Sequence, residues 1–219
     1  MREQSRIFAD REEAGRELGE ALGGLALDHP AVYALPRGGV PLAVAVGRRL
    51  KAPVDLVLVR KIGAPGSPEL ALGAVADGAE PFTVVNPEVK RMTGASDAYL
   101  ERARAEQLAE IERRRALYLG DRPRIDPRGR TAVIVDDGLA TGATARAAAT
   151  ALRAQGAARV IIAAPVAPPD TVAEMEAAGY EVAVLEQPQP FFGVGGFYRD
   201  FHQLSDEDVV RLLAQDAAD

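Results

Sequence analysis

Residues 133–144, VIVDDGLATGAT, combine several groups that could do chemistry. Two adjacent carboxylates, Asp136 and Asp137, follow an apolar run, and a Gly/Thr loop comes directly after them. Carboxylate oxygens suit sugar hydroxyls or Mg²⁺, which prefers hard oxygen ligands. The N–H groups and hydroxyls of such a loop, with the dipole of a helix that begins there, can hold an anion. The spacing therefore predicts that phosphate, ribose and a divalent metal bind in one crevice.

Two familiar nucleotide-binding patterns are missing from this loop. It lacks GxxxxGK[ST], which argues against a nucleotide P-loop. It also lacks GxGxxG, and the acid of a dinucleotide fold would come about 20 residues later rather than before the loop. The alternative is a plain strand-to-helix turn with a glycine at positive φ and an aspartate cap. Two acids and two threonines at this spacing exceed what such a turn needs.

The flanking segments alternate between short apolar runs and amphipathic stretches, which predicts a sheet of mainly parallel strands. The predicted strands are 31–35, 55–59, 131–135, 159–164 and 181–185. The predicted helices are 10–22, 41–50, 141–155, 170–178 and 206–214. Five mainly parallel strands covered by helices indicate a doubly wound α/β sheet.

Residues 60–130 interrupt this alternation. In order, they contain a Gly/Pro loop at 62–68, strands at 71–76 and 81–85 around a turn at 77–80, a helix from Ser96 to about Leu119, and a connector at 121–130. The two strands predict an antiparallel hairpin. We interpret 60–130 as an insertion that caps the core within a single domain of residues 1–219.

An apolar strand, an acid pair and the pattern xxxTGxT together resemble the ribose-phosphate signature of type I phosphoribosyltransferases. By this resemblance Asp136 and Asp137 are catalytic: they would hold the ribose diol of phosphoribosyl pyrophosphate and Mg²⁺, directly or through ribose and water. The 5′-phosphate would bind the loop formed by Gly138, Leu139, Ala140, Thr141, Gly142, Ala143 and Thr144.

Residues 35–50, LPRGGVPLAVAVGRRL, resemble the pyrophosphate loop of this family, particularly the RGG form of xanthine phosphoribosyltransferases. Arg37, Gly38 and Gly39 would wrap the leaving pyrophosphate. A non-proline cis peptide is common here in the family, and Arg37–Gly38 is the bond we expect to be cis. RGG alone is a weak signal, but its place one strand–helix unit from the acid pair supports the resemblance.

Residues 58–75 follow the next strand and contain a basic pair near their start, Arg60 and Lys61. The pair resembles one that family members place near pyrophosphate, and Lys61 would be catalytic. The segment matches the flap that closes over the site, and a lid shields a cationic transition state from water. The alternative is a solvated basic pair at the end of a strand.

The acceptor is expected to be a small nitrogenous base. Hypoxanthine/guanine and xanthine members usually carry a third acid where this chain has Ala140, so a hypoxanthine- or guanine-type mechanism is disfavoured. Adenine members share the missing acid, but the rest of the chain does not follow them closely. Residues 186–219 would form the hood that receives the base, with Phe197, Tyr198 and Asp200 as candidate contacts. Packing of these aromatics against the sheet edge is the alternative.

The composition and net charge of the chain exclude or disfavour several classes of function. The chain has 219 residues, 47% hydrophobic and 26% charged, which is typical of a globular protein. A net charge of −6 opposes generic nucleic-acid binding and an anionic membrane partner. The absence of cysteine excludes disulfides and thiolate-ligated metals, and two histidines are too few for a multi-histidine site. No apolar run approaches the roughly 18 residues of a membrane span, and the N-terminal segment lacks a signal-peptide core, so a cytoplasmic protein is expected.

The sequence therefore predicts Mg²⁺-dependent transfer of a phosphoribosyl group from phosphoribosyl pyrophosphate to a base, with release of pyrophosphate. One alternative is a sensor that binds phosphoribosyl pyrophosphate without turnover. Another is a hydrolase or phosphatase of the same fold class, which the absence of GxSxG and of a nucleophilic serine at a strand end disfavours. The resemblance also implies a homodimer.

Overall fold

The computed structural model describes residues 6–78 and 81–216. In chain order its elements are α1 (Arg11–Gly23), β1 (Ala31–Ala34), α2 (Gly39–Leu50), β2 (Val54–Leu56), β3 (Val59–Ala64), β4 (Ser67–Ala76), β5 (Phe82–Val85), α3 (Pro87–Thr93), α4 (Asp97–Leu119), β6 (Thr131–Val135), α5 (Ala143–Ala154), β7 (Arg159–Val166), α6 (Pro169–Ala177), β8 (Glu181–Glu186) and α7 (Asp206–Asp216). A short 3-10 turn spans Val194–Phe197.

The central sheet has five parallel strands in the order β2-β1-β6-β7-β8. This confirms the predicted mainly parallel α/β sheet. The strands β1 and β6 are buried along their whole length, as expected of apolar runs that helices cover on both faces. One apolar core contains Leu18, Leu42 and Val133, and the other contains Ile134, Ala148 and Met175.

The inserted region forms a second sheet, which is antiparallel with the order β3-β4-β5. Pairing of β4 with β5 confirms the predicted hairpin, although Ala79 and Glu80 of its turn lie outside the described residues. The prediction of a loop at 62–68 was wrong. These residues finish β3 and begin β4, and Gly63 allows the close approach because a Cβ there would lie 2.6 Å from the carbonyl oxygen of Pro68.

Two further element assignments differ from expectation. The strand predicted at 55–59 ends at Leu56, and the chain enters the second sheet at Val59. Helix α3 was not predicted, although Asn86 and Pro87 form a typical helix start: the Asn86 side chain accepts hydrogen bonds from the next two helical N–H groups. Ser96 caps α4 as predicted. Among the described residues, no helix is both long and apolar enough to cross a membrane.

A buried ion-pair network connects the two sheets through α4. The Arg115 side chain donates to both oxygens of Asp55 at 2.8 and 3.0 Å and to Asp77 at 3.1 Å. Arg124 donates to Asp77 at 2.7 Å, and the N–H of Leu58 donates to the same carboxylate at 2.8 Å. Burial raises the pKa of Asp77, while the Leu58 N–H and the Arg115 guanidinium oppose the increase. Each buried charge is therefore matched by a partner.

We expect Arg115→Ala to lower the free energy of unfolding by about 3–5 kcal/mol, because it leaves two buried carboxylates short of a cation. Urea denaturation measures the change. Arg113→Ala is the matched control on the same helix, since Arg113 is exposed and pairs with Glu110 on the surface. The control should leave the urea midpoint nearly unchanged, and an equal loss in both variants would contradict the structural role of the network.

Candidate functional site

The acid pair and the RGG segment meet at one edge of the parallel sheet. Strands β1 and β6 are neighbours in register, with Ala34 beside Val135. The N–H of Leu35 donates to the carbonyl oxygen of Val135 at 2.9 Å, which extends the pairing beyond β1. Because parallel strands end at the same edge, the loops that follow β1 and β6 lie side by side.

Glycine is required where these two loops touch. A Cβ on Gly38 would overlap the carboxylate of Asp137, and a Cβ on Gly39 would overlap the carbonyl oxygen of Val135. A side chain at either position would therefore separate the loops. The non-proline cis peptide is Pro36–Arg37, so our assignment to Arg37–Gly38 was wrong by one bond; Gly38 already has helical dihedrals as the cap of α2.

The two carboxylates are largely buried and differ in their partners. One oxygen of Asp136 accepts from the N–H of Asp137 at 2.9 Å. Burial and the neighbouring Asp137 carboxylate raise the pKa of Asp136 well above its usual range. Burial also raises the pKa of Asp137, and the guanidinium of Arg11, 3.0 Å away, opposes this increase. The site therefore holds two acids close together beside one ion-paired cation.

Arg11 is a site residue that the sequence analysis missed. It is the first residue of α1 and only 8% exposed. Besides its bond to Asp137, its side chain donates to the carbonyl oxygen of His202 at 3.0 Å and lies 3.9 Å from the ring centroid of Phe201. An arginine just after a helix cap is usually solvated, and 126 positions separate it from Asp137, so no local pattern pointed to this contact.

The loop after the acids leaves most of the first turn of α5 open, and the N–H of Ala143 makes a long hydrogen bond of 3.4 Å to Thr141 Oγ1. Gly142 caps the helix at φ +64° without a side-chain cap hydrogen bond. Two hydrogen bonds fix the loop to neighbouring elements. The N–H of Leu139 donates to the carbonyl oxygen of Val166, and the hydroxyl of Thr171 donates to the carbonyl oxygen of Ala140 at 2.8 Å. Thr141 and Thr144 are exposed. Since the first N–H groups of a helix lack intrahelical acceptors, this loop can bind an anion beside the carboxylates.

Comparison with known proteins agrees with this arrangement. The family model described as the phosphoribosyl transferase domain matches residues 11–201. The chain belongs to this family. It is a type I phosphoribosyltransferase domain, and its acceptor is undefined. The matched range includes Arg11, both acids and the loop at the start of α5.

Two groups of relatives extend over nearly the whole chain. Proteins from two strains of Mycobacterium tuberculosis, provisionally named phosphoribosyl transferases, are 45% identical over 208 residues, covering 95% of this chain and 46% of their own length. The chain thus spans about half the length of these curated relatives. The crystal structure of the protein TT1426 from Thermus thermophilus is 46% identical with a TM-score of 0.84, covering 95% of this chain and 98% of that one.

The three cations predicted to bind pyrophosphate all have partners within the chain. Arg37 lies 3.6 Å from Asp206, Arg60 donates to Gln107 at 3.0 Å, and Lys61 pairs with Glu69 at 3.1 Å. Arg60 and Lys61 are consecutive in β3, so their side chains point to opposite faces. The structure therefore does not direct both of them to one point, and their role in binding pyrophosphate stays a prediction.

The three predicted hood residues lie in different surroundings. The Tyr198 hydroxyl donates to the main-chain oxygen of Asp137 at 2.6 Å, and its ring is buried between Phe8 and Phe201. This favours packing for Tyr198. Phe197 stacks on Phe191 with 5.5 Å between ring centroids, and Asp200 is exposed beside His202. Contact of Phe197, Tyr198 or Asp200 with a base remains a prediction.

A separate cavity of about 320 Å³ lies between β2, the end of α5 and the connector after α4. Tyr33, Val57, Arg124, Ile125 and Leu152 are among its lining residues, and none of the predicted site residues lines it. The Tyr33 hydroxyl donates to the carbonyl oxygen of Ile125 at 3.0 Å, and Arg124 is bound to Asp77. These polar groups already have protein partners.

We expect Asp136→Asn to stabilise the folded chain at pH 7 when no metal or ligand is added. The pKa of Asp136 is higher in the folded than in the unfolded state, so the ionised carboxylate destabilises the fold at neutral pH. This penalty becomes smaller as the pH falls towards about 4, where about half of the unfolded carboxyl groups are protonated. The Asn oxygen can still accept the N–H of Asp137.

Urea midpoints measured from pH 7 to pH 4 test this expectation. The advantage of Asp136→Asn over the wild type should shrink as the pH falls. Asp28→Asn is the control, because Asp28 is 89% exposed, and it should show no such trend. An Asp136→Asn variant that is less stable than the wild type at pH 7 would contradict the expectation.

Proposed function

We propose that this chain transfers the phosphoribosyl group from phosphoribosyl pyrophosphate to a nitrogenous base or related acceptor and releases pyrophosphate. The observation that carries the proposal is the direct packing of Gly38 against the carboxylate of Asp137, beside the open start of α5. It gives one crevice two carboxylates, a glycine loop and an anion site. These match the diol, pyrophosphate and 5′-phosphate of the substrate.

The ligand groups follow from donor and acceptor chemistry. A sugar diol donates hydrogen bonds, and the carboxylates of Asp136 and Asp137 accept them. The 5′-phosphate would bind the loop 138–144, where two exposed hydroxyls and the helix dipole favour an anion. The pyrophosphate would lie along Arg37, Gly38 and Gly39, because glycine lets a ligand approach the backbone closely.

In the proposed reaction a nitrogen of the acceptor bonds to the anomeric carbon as the bond from that carbon to pyrophosphate breaks. The bonding electron pair leaves with the pyrophosphate oxygen, and the attacking nitrogen gives up its proton to solvent or a base. Positive charge develops on the sugar, so Asp136 and Asp137 stabilise the transition state electrostatically. The fixed loops hold the reacting groups in position.

Arg37 and Lys61 would offset charge on the departing pyrophosphate. Each must first leave its acidic neighbour, Asp206 or Glu69. Both pairs are solvent-exposed, and exposed pairs contribute little stability, so a multiply charged ligand can displace them. Arg60 would act from the opposite face of β3, through a movement of the flap.

Asp136 and Asp137 fit Mg²⁺ only if oxygen atoms of the ligand complete the coordination of the ion. Within residues 6–78 and 81–216, no group of three or more His, Asp or Glu side chains could hold a metal. Mg²⁺ commonly binds one or two carboxylates and completes its coordination with substrate oxygens and water. Asp136 and Asp137 would hold it in that way, and the ion would neutralise charge on the leaving group.

The acceptor would bind against the aromatic side chains that follow β8. Phe191 and Phe197 form a stacked pair, and Phe192 beside them is 92% exposed. Planar faces of this kind suit a small heterocyclic base. We also propose that the protein is cytoplasmic and assembles as a homodimer, and that it binds neither nucleic acid nor a membrane.

A sensor that binds phosphoribosyl pyrophosphate without turnover is the second candidate. The pairing of Arg37 with Asp206 and of Lys61 with Glu69 favours it, because neither of these two cations would offset charge on the leaving group while its pair stays intact. Both candidates use the same acid pair. They differ only in whether the bound ligand reacts with a base.

We expect Mg²⁺-dependent binding of phosphoribosyl pyrophosphate that weakens on the order of a hundredfold in Asp136→Asn/Asp137→Asn, since at least two charge-assisted hydrogen bonds are lost. Calorimetric titration with and without Mg²⁺ measures it. Asp28→Asn controls for the loss of acidic charge and should bind like the wild type. Circular dichroism checks that the double variant is folded.

Pyrophosphate release in the presence of a panel of bases separates the two candidates. Release with any base, lost in the double variant, supports transfer. Saturable binding without release on any base supports the sensor. A folded wild type that does not bind the ligand contradicts both.

A further inference from the structure

The N-terminal residues 8–11 pair with residues 197–202, which we call the C-terminal strap. The N–H of Phe8 donates to Phe197 at 2.8 Å, and the N–H groups of Arg199 and Asp200 donate back to Phe8 and Ala9 at 2.9 and 3.0 Å. Arg11 follows directly and contacts both the strap and the acid pair. The first helix is therefore fixed to the edge of the site.

We infer that Arg11 is a positioning residue for ribose recognition: it fixes the Asp137 carboxylate so that one oxygen of each acid faces the sugar diol. This inference rests on the proposed function. It adds to the site a residue from α1 that lies outside both loops of the crevice. Arg11 itself would not touch the ligand.

The hydrogen bonds of the acid pair support this role. Asp137 Oδ2 accepts from Arg11, and Asp136 Oδ1 accepts from the N–H of Asp137. Among the described residues no donor other than the N–H of Asp137 itself reaches Asp137 Oδ1 or Asp136 Oδ2. Two acceptors on adjacent residues thus remain, which is the number that two vicinal hydroxyls require.

Asp137 is held from three sides. Arg11 binds its side chain, the Tyr198 hydroxyl binds its main-chain oxygen, and the backbone of Gly38 packs against its carboxylate. Gly38 and Tyr198 limit the space around the residue, but among the described residues Arg11 is the one side chain that bonds to the carboxylate itself. Without Arg11 that carboxylate could rotate about its side-chain bonds.

The contacts of Arg11 need a guanidinium. Its Nε donates to Asp137, its Nη1 donates to the carbonyl oxygen of His202, and its plane lies over the ring of Phe201. A planar fork makes these contacts together, whereas an ammonium is a point charge. Lysine could therefore replace the bond to Asp137 but not the full arrangement.

The test compares two probes that differ by the sugar. Inorganic phosphate reports on the anion loop alone, and ribose 5-phosphate adds the diol. We expect the wild type to prefer ribose 5-phosphate, and Arg11→Gln to reduce that preference by about tenfold while the Kd of inorganic phosphate is unchanged. Calorimetry gives both constants. Arg11→Lys should restore part of the preference.

Matched variants separate positioning from general damage. Arg16→Gln on the same helix removes an exposed arginine that pairs with Glu12, and it should keep both wild-type constants. If Arg11→Gln does not fold, the double variant Arg11→Gln/Asp137→Asn replaces it in the test. The double variant removes the carboxylate of Asp137 together with its cation, so no unpaired charge is left at this contact. Its loss of preference should equal that of Asp137→Asn alone, because coupled residues are not additive.

If Arg11→Gln prefers ribose 5-phosphate over inorganic phosphate as strongly as the wild type does, the inference is overturned. It is also overturned if Arg11→Gln binds both probes more weakly by the same factor, because that result would show only structural damage. Additive losses in the double variant also overturn it. A wild type with no preference for ribose 5-phosphate contradicts the proposed ribose site itself and removes the positioning role with it. The failure of the inference and that of the proposed function are thus distinguishable.

Discussion

The parallel pairing of β1 with β6 constrains everything at the candidate site. The two strands end together, and the hydrogen bond from Leu35 to Val135 keeps the following loops adjacent. Only glycine fits at positions 38 and 39, where one loop meets the backbone and carboxylate of the other. The acids and the RGG segment therefore cannot move independently.

Charge is compensated differently in the two buried acidic clusters. Asp55 and Asp77 share Arg115 and Arg124, so that cluster supports the fold. At the site, Asp136 and Asp137 share one ion-paired cation, Arg11, and burial raises the pKa of both acids. Perturbed carboxyls in a crevice are typical of functional sites, where binding groups are kept at a cost in stability.

The sequence was most informative where local patterns determine structure. The apolar run, acids and Gly/Thr loop of residues 131–144 predicted β6, the following turn and α5, because strand periodicity and glycine act over a few residues. The contact of Arg11 with Asp137 depends on tertiary packing across the chain, so no spacing could reveal it. Gly63 was taken as a loop signal, yet it serves close contact between two strands. The direction of Arg60 and Lys61 likewise depends on which residues of β3 pair with β4.

A crystal structure of the chain with phosphoribosyl pyrophosphate and Mg²⁺ tests the central claim most directly. We expect ribose hydroxyls within hydrogen-bond distance of Asp136 and Asp137, the 5′-phosphate on residues 138–144, and the pyrophosphate beside Gly38 and Gly39. A ligand bound instead in the cavity beside β2 and α5, or with its diol away from both acids, would contradict the proposed site.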